Sequence, residues 1–142
     1  ICFNVISSIM QELSFQSKPE NIAVVERLID EMCENHNVIE EHYEDILIAM
    51  TEGVNNAIVH GNKLDVTKSV SVEYEKRGKD LFFRITDEGA GFDYENLPDP
   101  TAPENLERPN GRGVFLMRNL ADECSFEDDG RIIELVFTGV LR

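Results

Sequence analysis

Hydrophobic and polar positions change their period several times along this chain, and each change marks an element. Residues 12–16 alternate as a short strand. Ser17-Lys18-Pro19-Glu20 then reads as a helix start, with Ser17 as cap, Glu20 closing a capping box and Pro19 inside the first turn. Ile22, Val25, Ile29 and Met32 recur at helical spacing and predict a helix to about His36. A second helix is predicted over residues 39–60, with Leu47, Met50, Val54, Ala57 and Ile58 as its apolar stripe and Gly61-Asn62 at its end.

Alternation returns at Val70, Val72 and Tyr74 and again at Leu81, Phe83 and Ile85, across a Gly78-Lys79-Asp80 turn, which predicts a hairpin. Residues 93–110 carry Pro98, Pro100, Pro103 and Pro109 without a sustained period and read as a long loop, a feature that in compact domains is often functional. Val114, Met117, Leu120 and Ala121 mark a short helix after it. Residues 124–127, an Asp129-Gly130 turn, and Ile133, Leu135 and Phe137 predict a closing hairpin. The order is strand, two helices, two strands, loop, helix, two strands. Runs segregated in this way predict an α+β two-layer sandwich, with a mixed, mostly antiparallel sheet covered on one face by helices.

Composition narrows the picture without redrawing it. A length of 142 residues fits one domain over 1–142, and 42% hydrophobic with 29% charged residues is the balance of a soluble globular protein. No apolar run reaches the roughly 18–20 residues of a membrane span. Residues 1–10 are fairly apolar but lack a basic start and a small-residue cleavage site, which argues against a secretory signal. They fit equally an extension upstream of a start at Met10 and an ordinary edge segment. Three widely spaced cysteines, Cys2, Cys33 and Cys124, suit neither a disulfide framework nor a zinc site, so a cytoplasmic home is expected. A net charge of −15 disfavours nucleic acid as a ligand. It suits a basic protein partner, or simple solubility.

The most unusual stretch is Glu52-Gly53-Val54-Asn55-Asn56-Ala57-Ile58-Val59-His60-Gly61-Asn62. Glu52, Asn56 and His60 stand four apart and share one stripe of the second helix, away from the apolar stripe. Asn56 offers a hard oxygen suited to Mg²⁺, which takes few protein ligands and keeps waters and phosphates. Glu52 can orient or deprotonate an attacking hydroxyl. The alternative for the segment is a solvated helix face.

Asp87-Glu88-Gly89-Ala90-Gly91-Phe92-Asp93 follows a strand directly. An Asp there can accept from an exocyclic amine such as that of adenine, and Gly89 and Gly91 permit close backbone approach. A calcium loop would need alternating acidic ligands and a distal Glu, which are missing. Asn110-Gly111-Arg112-Gly113-Val114 opens the last helix, and a glycine-rich helix start is a ready anion site. It is neither a dinucleotide fingerprint nor a P-loop, since the third glycine of the first and the Gly-Lys-Ser/Thr ending of the second are absent.

Taken in order, these three motifs resemble the GHKL superfamily, which includes gyrase-like ATPases and sensor histidine kinases. Residues 52–56 match its N box, 87–91 its first glycine box and 111–113 its second, and the resemblance runs from about Leu13 to the C-terminus. Within the superfamily, residues 51–61 and 111–117 are most similar to the anti-sigma-factor serine kinases. A sensor kinase would carry an upstream dimerisation helix with its phosphoacceptor histidine, and a gyrase-type ATPase a second domain with a catalytic lysine. One departure stands out. The family often has Gly-Thr near the last hairpin, whereas here Gly130 is followed by Arg131.

The resemblance implies a Bergerat-type ATP-binding fold with an ATP lid over residues 94–110. Asn56 would hold Mg²⁺, Asp87 would read the adenine amine, and Gly89 and Gly91 would admit the nucleotide. Gly111 and Gly113 would receive phosphate oxygens, with Arg112 and Arg108 as candidate cationic help. Glu52 would serve as catalytic base for a serine or threonine hydroxyl, and His60 as a structural helix-end residue. The implied substrate is a STAS-domain antagonist, the implied partner a sigma factor, and the implied assembly a homodimer through the first strand and helix. A non-catalytic ATP-dependent switch and a stand-alone ATPase are the alternatives.

Overall fold

A computed structural model describes residues 11–90 and 109–142, with side chains from 11–90 and 111–142. The extension expected over 1–10, most of the lid expected over 94–110, Gly91 and Arg108 lie outside the described residues.

Five strands form one sheet: β1 (Gln11–Gln16), β2 (Ser69–Arg77), β3 (Asp80–Thr86), β4 (Glu123–Glu127) and β5 (Ile132–Phe137), in the order β1-β2-β3-β5-β4. All four pairings are antiparallel, where a mixed sheet had been allowed for. The register sets Val72 opposite Ile85, Phe83 opposite Leu135 and Ile85 opposite Ile133. Alternation thus turns the centre of one face apolar, with Gln11 and Lys76 at its margin.

Three helices cover that face: α1 (Ile22–Asn35), α2 (Tyr43–Asn55) and α3 (Pro109–Leu120). Val25, Ile29 and Met32 of α1, Ala49, Met50 and Val54 of α2, and Met117 of α3 are all buried in one cluster with the sheet. Gly53 lets α2 lie close, since a Cβ there would stand 2.6 Å from Ile85 Cδ1 and 3.2 Å from Met117 Sδ. The opposite face mixes Arg84, Glu73 and Glu134 with Phe82 and Val136. Arg84 donates to Glu134 through Nε and Nη2 at 2.8 and 2.7 Å, and Arg77 covers the Phe82 ring at 4.0 Å.

Two local expectations are corrected. Ser17 does not cap the first helix: Pro19–Asn21 form a 3₁₀ turn whose cap position, Lys18, makes no side-chain bond. Ser17 is instead fully buried, donating to Lys68 O at 2.9 Å, because the end of β1 passes under the loop before β2. The second helix also does not run as one α-helix over 39–60. It begins with a 3₁₀ turn at Glu40–His42 and ends in a π-helix at Asn56–Gly61. Its apolar face is also turned slightly, so that Ile46 and Ala49 are buried while Leu47 packs half-buried at the margin.

Candidate functional site

The π-helical segment positions most of the site. Its wide turn closes with Asn62 N–H donating to Ala57 O at 2.8 Å, five residues back. Such turns are often found at functional sites. Here the widening brings Gly61 against Asp87, so closely that a Cβ at Gly61 would stand 2.5 Å from Asp87 Cγ and 2.8 Å from Oδ1. Only glycine leaves room for the carboxylate. Gly89 in turn sits on the Gly61 carbonyl, which a Cβ at Gly89 would overlap. The end of the N box and the start of the first glycine box are therefore pressed together, main chain on main chain.

Asp87 emerges from β3 and is buried, with 6% of its surface exposed. Burial raises its pKa from the ordinary carboxylate value, against the Gly89 N–H, which donates to Oδ1 at 2.8 Å, and the nearby charges of Arg131 and Lys68. One residue further, Glu88 N–H donates to Asn62 Oδ1 at 2.8 Å. Asn62 Nδ2 donates to Ser17 Oγ at 2.6 Å and to Ser69 O at 3.0 Å. This buried network fixes the turn after Asp87 from behind. Sequence reasoning gave Asn62 only a helix end and Ser17 only a cap; neither spacing nor residue type distinguishes a buried network from a surface cap.

The other end of the site lies between α2 and α3. Asn56 is not on a solvated stripe, because α3 covers it and only 3% of its surface is exposed. A Cβ at Gly113 would stand 3.2 Å from Asn56 Nδ2, Asn56 Oδ1 and Glu52 Oε2 alike. The two N-box side chains thus converge on the second glycine box. Glu52 is half-buried and Arg112 is exposed on α3. The helix begins at Pro109, so Gly111 lies within its first turn and Gly113 at the start of its second, rather than ahead of it. The first turn still carries main-chain N–H groups without intrahelical acceptors, as every helix start does.

Asn56 Nδ2 and Oδ1 and His60 Nε2 are buried without a hydrogen-bond partner among the described residues. Burying an unpartnered amide costs on the order of 1–3 kcal/mol, so such groups stand out in folded proteins. Burial also lowers the His60 pKa, which favours the neutral ring. The donor chemistry fits Mg²⁺: one neutral hard oxygen from the chain, the remaining positions left for water and phosphate. No cluster of three or more His, Cys, Asp or Glu among the described residues could hold a metal by itself.

One further residue completes the site. Arg131 directs Nε to Gly89 O at 2.7 Å and Nη2 to Ala90 O at 3.3 Å, just beyond Asp87. The signal for it in the sequence was the departure from Gly-Thr at this position. Among the described residues, no helix is long and apolar enough to cross a membrane.

Known proteins share this fold. The fold superposes on the crystal structure of the RsbU and RsbW domains of Rv1364c from Mycobacterium tuberculosis with a TM-score of 0.67 at 16% identity. That match covers 92% of this chain and 32% of the other, so this chain spans about a third of the solved one. It is 27% identical over 126 residues to the serine-protein kinase RsbW of Bacillus cereus (strain AH820), covering 83% of this chain and 77% of the relative. The serine-protein kinase RsbW of Bacillus thuringiensis (strain Al Hakam) matches with the same identity and coverage. The model of the histidine kinase-like ATPase domain matches residues 15–137, nearly the whole length of the fold just described, and the chain belongs to that family.

Proposed function

We propose that this chain is an ATP-dependent serine-protein kinase acting as an anti-sigma factor, with a STAS-domain protein as phosphoacceptor and a sigma factor as the partner it holds. One observation carries the reading: Glu52 and Asn56 converge on Gly113, with the Asn56 amide buried and unpartnered among the described residues. The RsbW relatives, named as serine-protein kinases, support the reaction class.

The chain's residues divide the work by place. Asp87 accepts a hydrogen bond from the adenine amine, while Gly89, with Gly91 beyond it, keeps the main chain close to the base. Asn56 Oδ1 would hold Mg²⁺, which would supply charge neutralisation on the phosphates. The first turn of α3, around Gly111, offers N–H groups to phosphate oxygens, Gly113 keeps the next turn clear of side chain beside them, and Arg112 and Arg108 are added cations. Glu52 takes the proton of the serine hydroxyl as it attacks. In phosphoryl transfer most of the acceleration comes from positioning and charge stabilisation, which this division supplies. A homodimer in the cytoplasm is the proposed working form.

The test is calorimetry of Mg-ATP with wild type, Asp87→Ala and Asn56→Ala, followed by transfer of labelled γ-phosphate to a STAS-domain serine. Binding by wild type, loss in Asp87→Ala and metal-insensitive binding in Asn56→Ala are expected, with label on the serine. A folded wild type that binds no Mg-ATP would falsify the kinase reading. Binding without transfer to any acceptor would leave a nucleotide-dependent switch, and turnover without acceptor a stand-alone ATPase.

A further inference from the structure

Arg131 joins three segments of the molecule. Its main-chain carbonyl accepts the Asp87 N–H at 2.9 Å. Its guanidinium donates through Nε to Gly89 O at 2.7 Å and reaches Ala90 O through Nη2 at 3.3 Å. Nη1 is held on the other side by Asp128 O and Oδ1, each at 3.0 Å. The residues leading into it, Asp128, Asp129 and Gly130, have φ of 51°, 57° and 88°. Two non-glycine residues in the left-handed region are a local cost that the surrounding structure must sustain. That turn aims the side chain back beneath the first glycine box, where 29% of it remains exposed. A guanidinium presents its N–H groups in one rigid plane, and a plane that grips two successive carbonyls fixes the direction of the chain between them.

We propose that Arg131 is a positioning residue for base recognition: its guanidinium holds the Gly89–Ala90 main chain so that the Asp87 carboxylate presents one fixed acceptor to the exocyclic amine of adenine. The inference rests on the nucleotide reading of the site. Asp87 Oδ1 is bound by Gly89 N–H at 2.8 Å, so whatever moves Gly89 moves the carboxylate. Without the guanidinium the turn has Asn62 behind it but, among the described residues, no group gripping its outward carbonyls, and the acceptor loses its set direction. A latch of purely structural value would lower the melting temperature and leave base discrimination unchanged.

The experiment measures affinity for Mg-ATP and for purine riboside triphosphate, which lacks the 6-amino group, in wild type, Arg131→Met and Arg131→Lys, with melting temperatures alongside. Arg131→Met should bind ATP about tenfold more weakly, the worth of one charge-assisted contact, and bind the amine-free analogue as wild type does. The preference for ATP over the analogue then narrows by the same factor. Lysine can reach one carbonyl but not span two, so Arg131→Lys should fall between. A folded variant with the wild-type preference overturns the proposal, and so does failure of both variants to fold, which would assign Arg131 to stability alone. A wild type that binds ATP while its variants keep the same preference defeats only this inference. A wild type that binds no ATP defeats the nucleotide reading and this inference with it.

Discussion

The two ends of the site are built in opposite ways. At the end proposed to take the base, Asp87, Gly61, Gly89, Asn62 and Arg131 are locked together: Asn62 uses both amide atoms, and Asp87 is held by the Gly89 N–H. At the end proposed to take the phosphates, Asn56 is buried like Asn62, yet neither of its amide atoms has a partner among the described residues. Both asparagines lie on or beside the same π-helical turn, so burial alone does not separate them. What separates them is who completes their hydrogen bonding. The fold completes the base end in advance, whereas the phosphate end keeps the polar capacity that a metal, its waters and phosphates can use. Under the proposed function, preorganised recognition sits at one end and ligand-completed coordination at the other.

The largest expected effect tests whether chemistry belongs to the phosphate end. Glu52→Gln should lower phosphoryl transfer by roughly 10²–10⁴-fold, the range for loss of a general base, while Mg-ATP affinity and melting temperature stay near wild type. Unchanged transfer rates in single-turnover assays would remove Glu52 from the mechanism. Next come the glycines. Gly89→Ala drives a Cβ into the Gly61 carbonyl, which is main chain and cannot step aside, so it should abolish nucleotide binding and cost roughly 1–3 kcal/mol in urea unfolding. Gly113→Ala meets only side-chain tips at 3.2 Å, so the fold should survive with a smaller loss. Equal losses at both glycines would erase the distinction between the ends.

A smaller effect should differ in sign. Asn62→Leu leaves the Glu88 N–H and the Ser69 carbonyl without their partner, and should destabilise the protein by about 1–3 kcal/mol. Asn56→Leu removes a buried amide that has no partner among the described residues and should leave stability unchanged or raise it by about 1 kcal/mol, while metal-dependent ATP binding disappears. Denaturant titrations of the two variants side by side decide the matter. A comparable loss in Asn56→Leu would mean that its amide is already satisfied in the folded protein.

Much of this was legible in the sequence, and the limits have physical causes. Period-2 alternation marked β2, β3 and β5, because a sheet with one covered face forces it, and helical spacing placed α1 and α3. Asp87, Asn56, Glu52 and the glycines announced themselves as unusual residues at motif spacing. The π-helical turn did not, since Asn56–Gly61 has the composition of an ordinary helix end and its wide closure follows from packing Gly61 under Asp87. Ser17 was misread for a related reason: a serine before Pro and Glu looks the same whether its hydroxyl turns to its own helix or to Lys68 O across the fold. Burial of Asn56 was likewise invisible, because a stripe four residues apart does not say whether water or α3 lies opposite. Arg131 showed only as a break in a pattern, and its grip on Gly89 requires two segments 42 residues apart to meet.

The finest test of the contrast is pH. Burial holds the Asp87 pKa above its ordinary 3.8, while Arg131, Lys68 and the Gly89 N–H favour the charged form and Asp128 opposes it. In the free protein, the folded state keeps a proton between pH 3.8 and that raised value that the unfolded state has lost, so this group's contribution to stability falls as pH rises through the window. Nucleotide binding should run the other way, because an amine needs an ionised acceptor. ATP affinity should therefore decline on acidification from a pH above 3.8, and Asp87→Asn should abolish that part of the decline. Protonation of the nucleotide's own phosphates is common to both proteins, so their difference isolates the base end. A wild-type profile superimposable on that of Asp87→Asn would mean that the carboxylate does not contact the base, and the preorganised end would have to be sought elsewhere. A difference that moves to higher pH in Arg131→Met would show that the guanidinium acts on the acceptor itself, since the charge favouring ionisation would be gone.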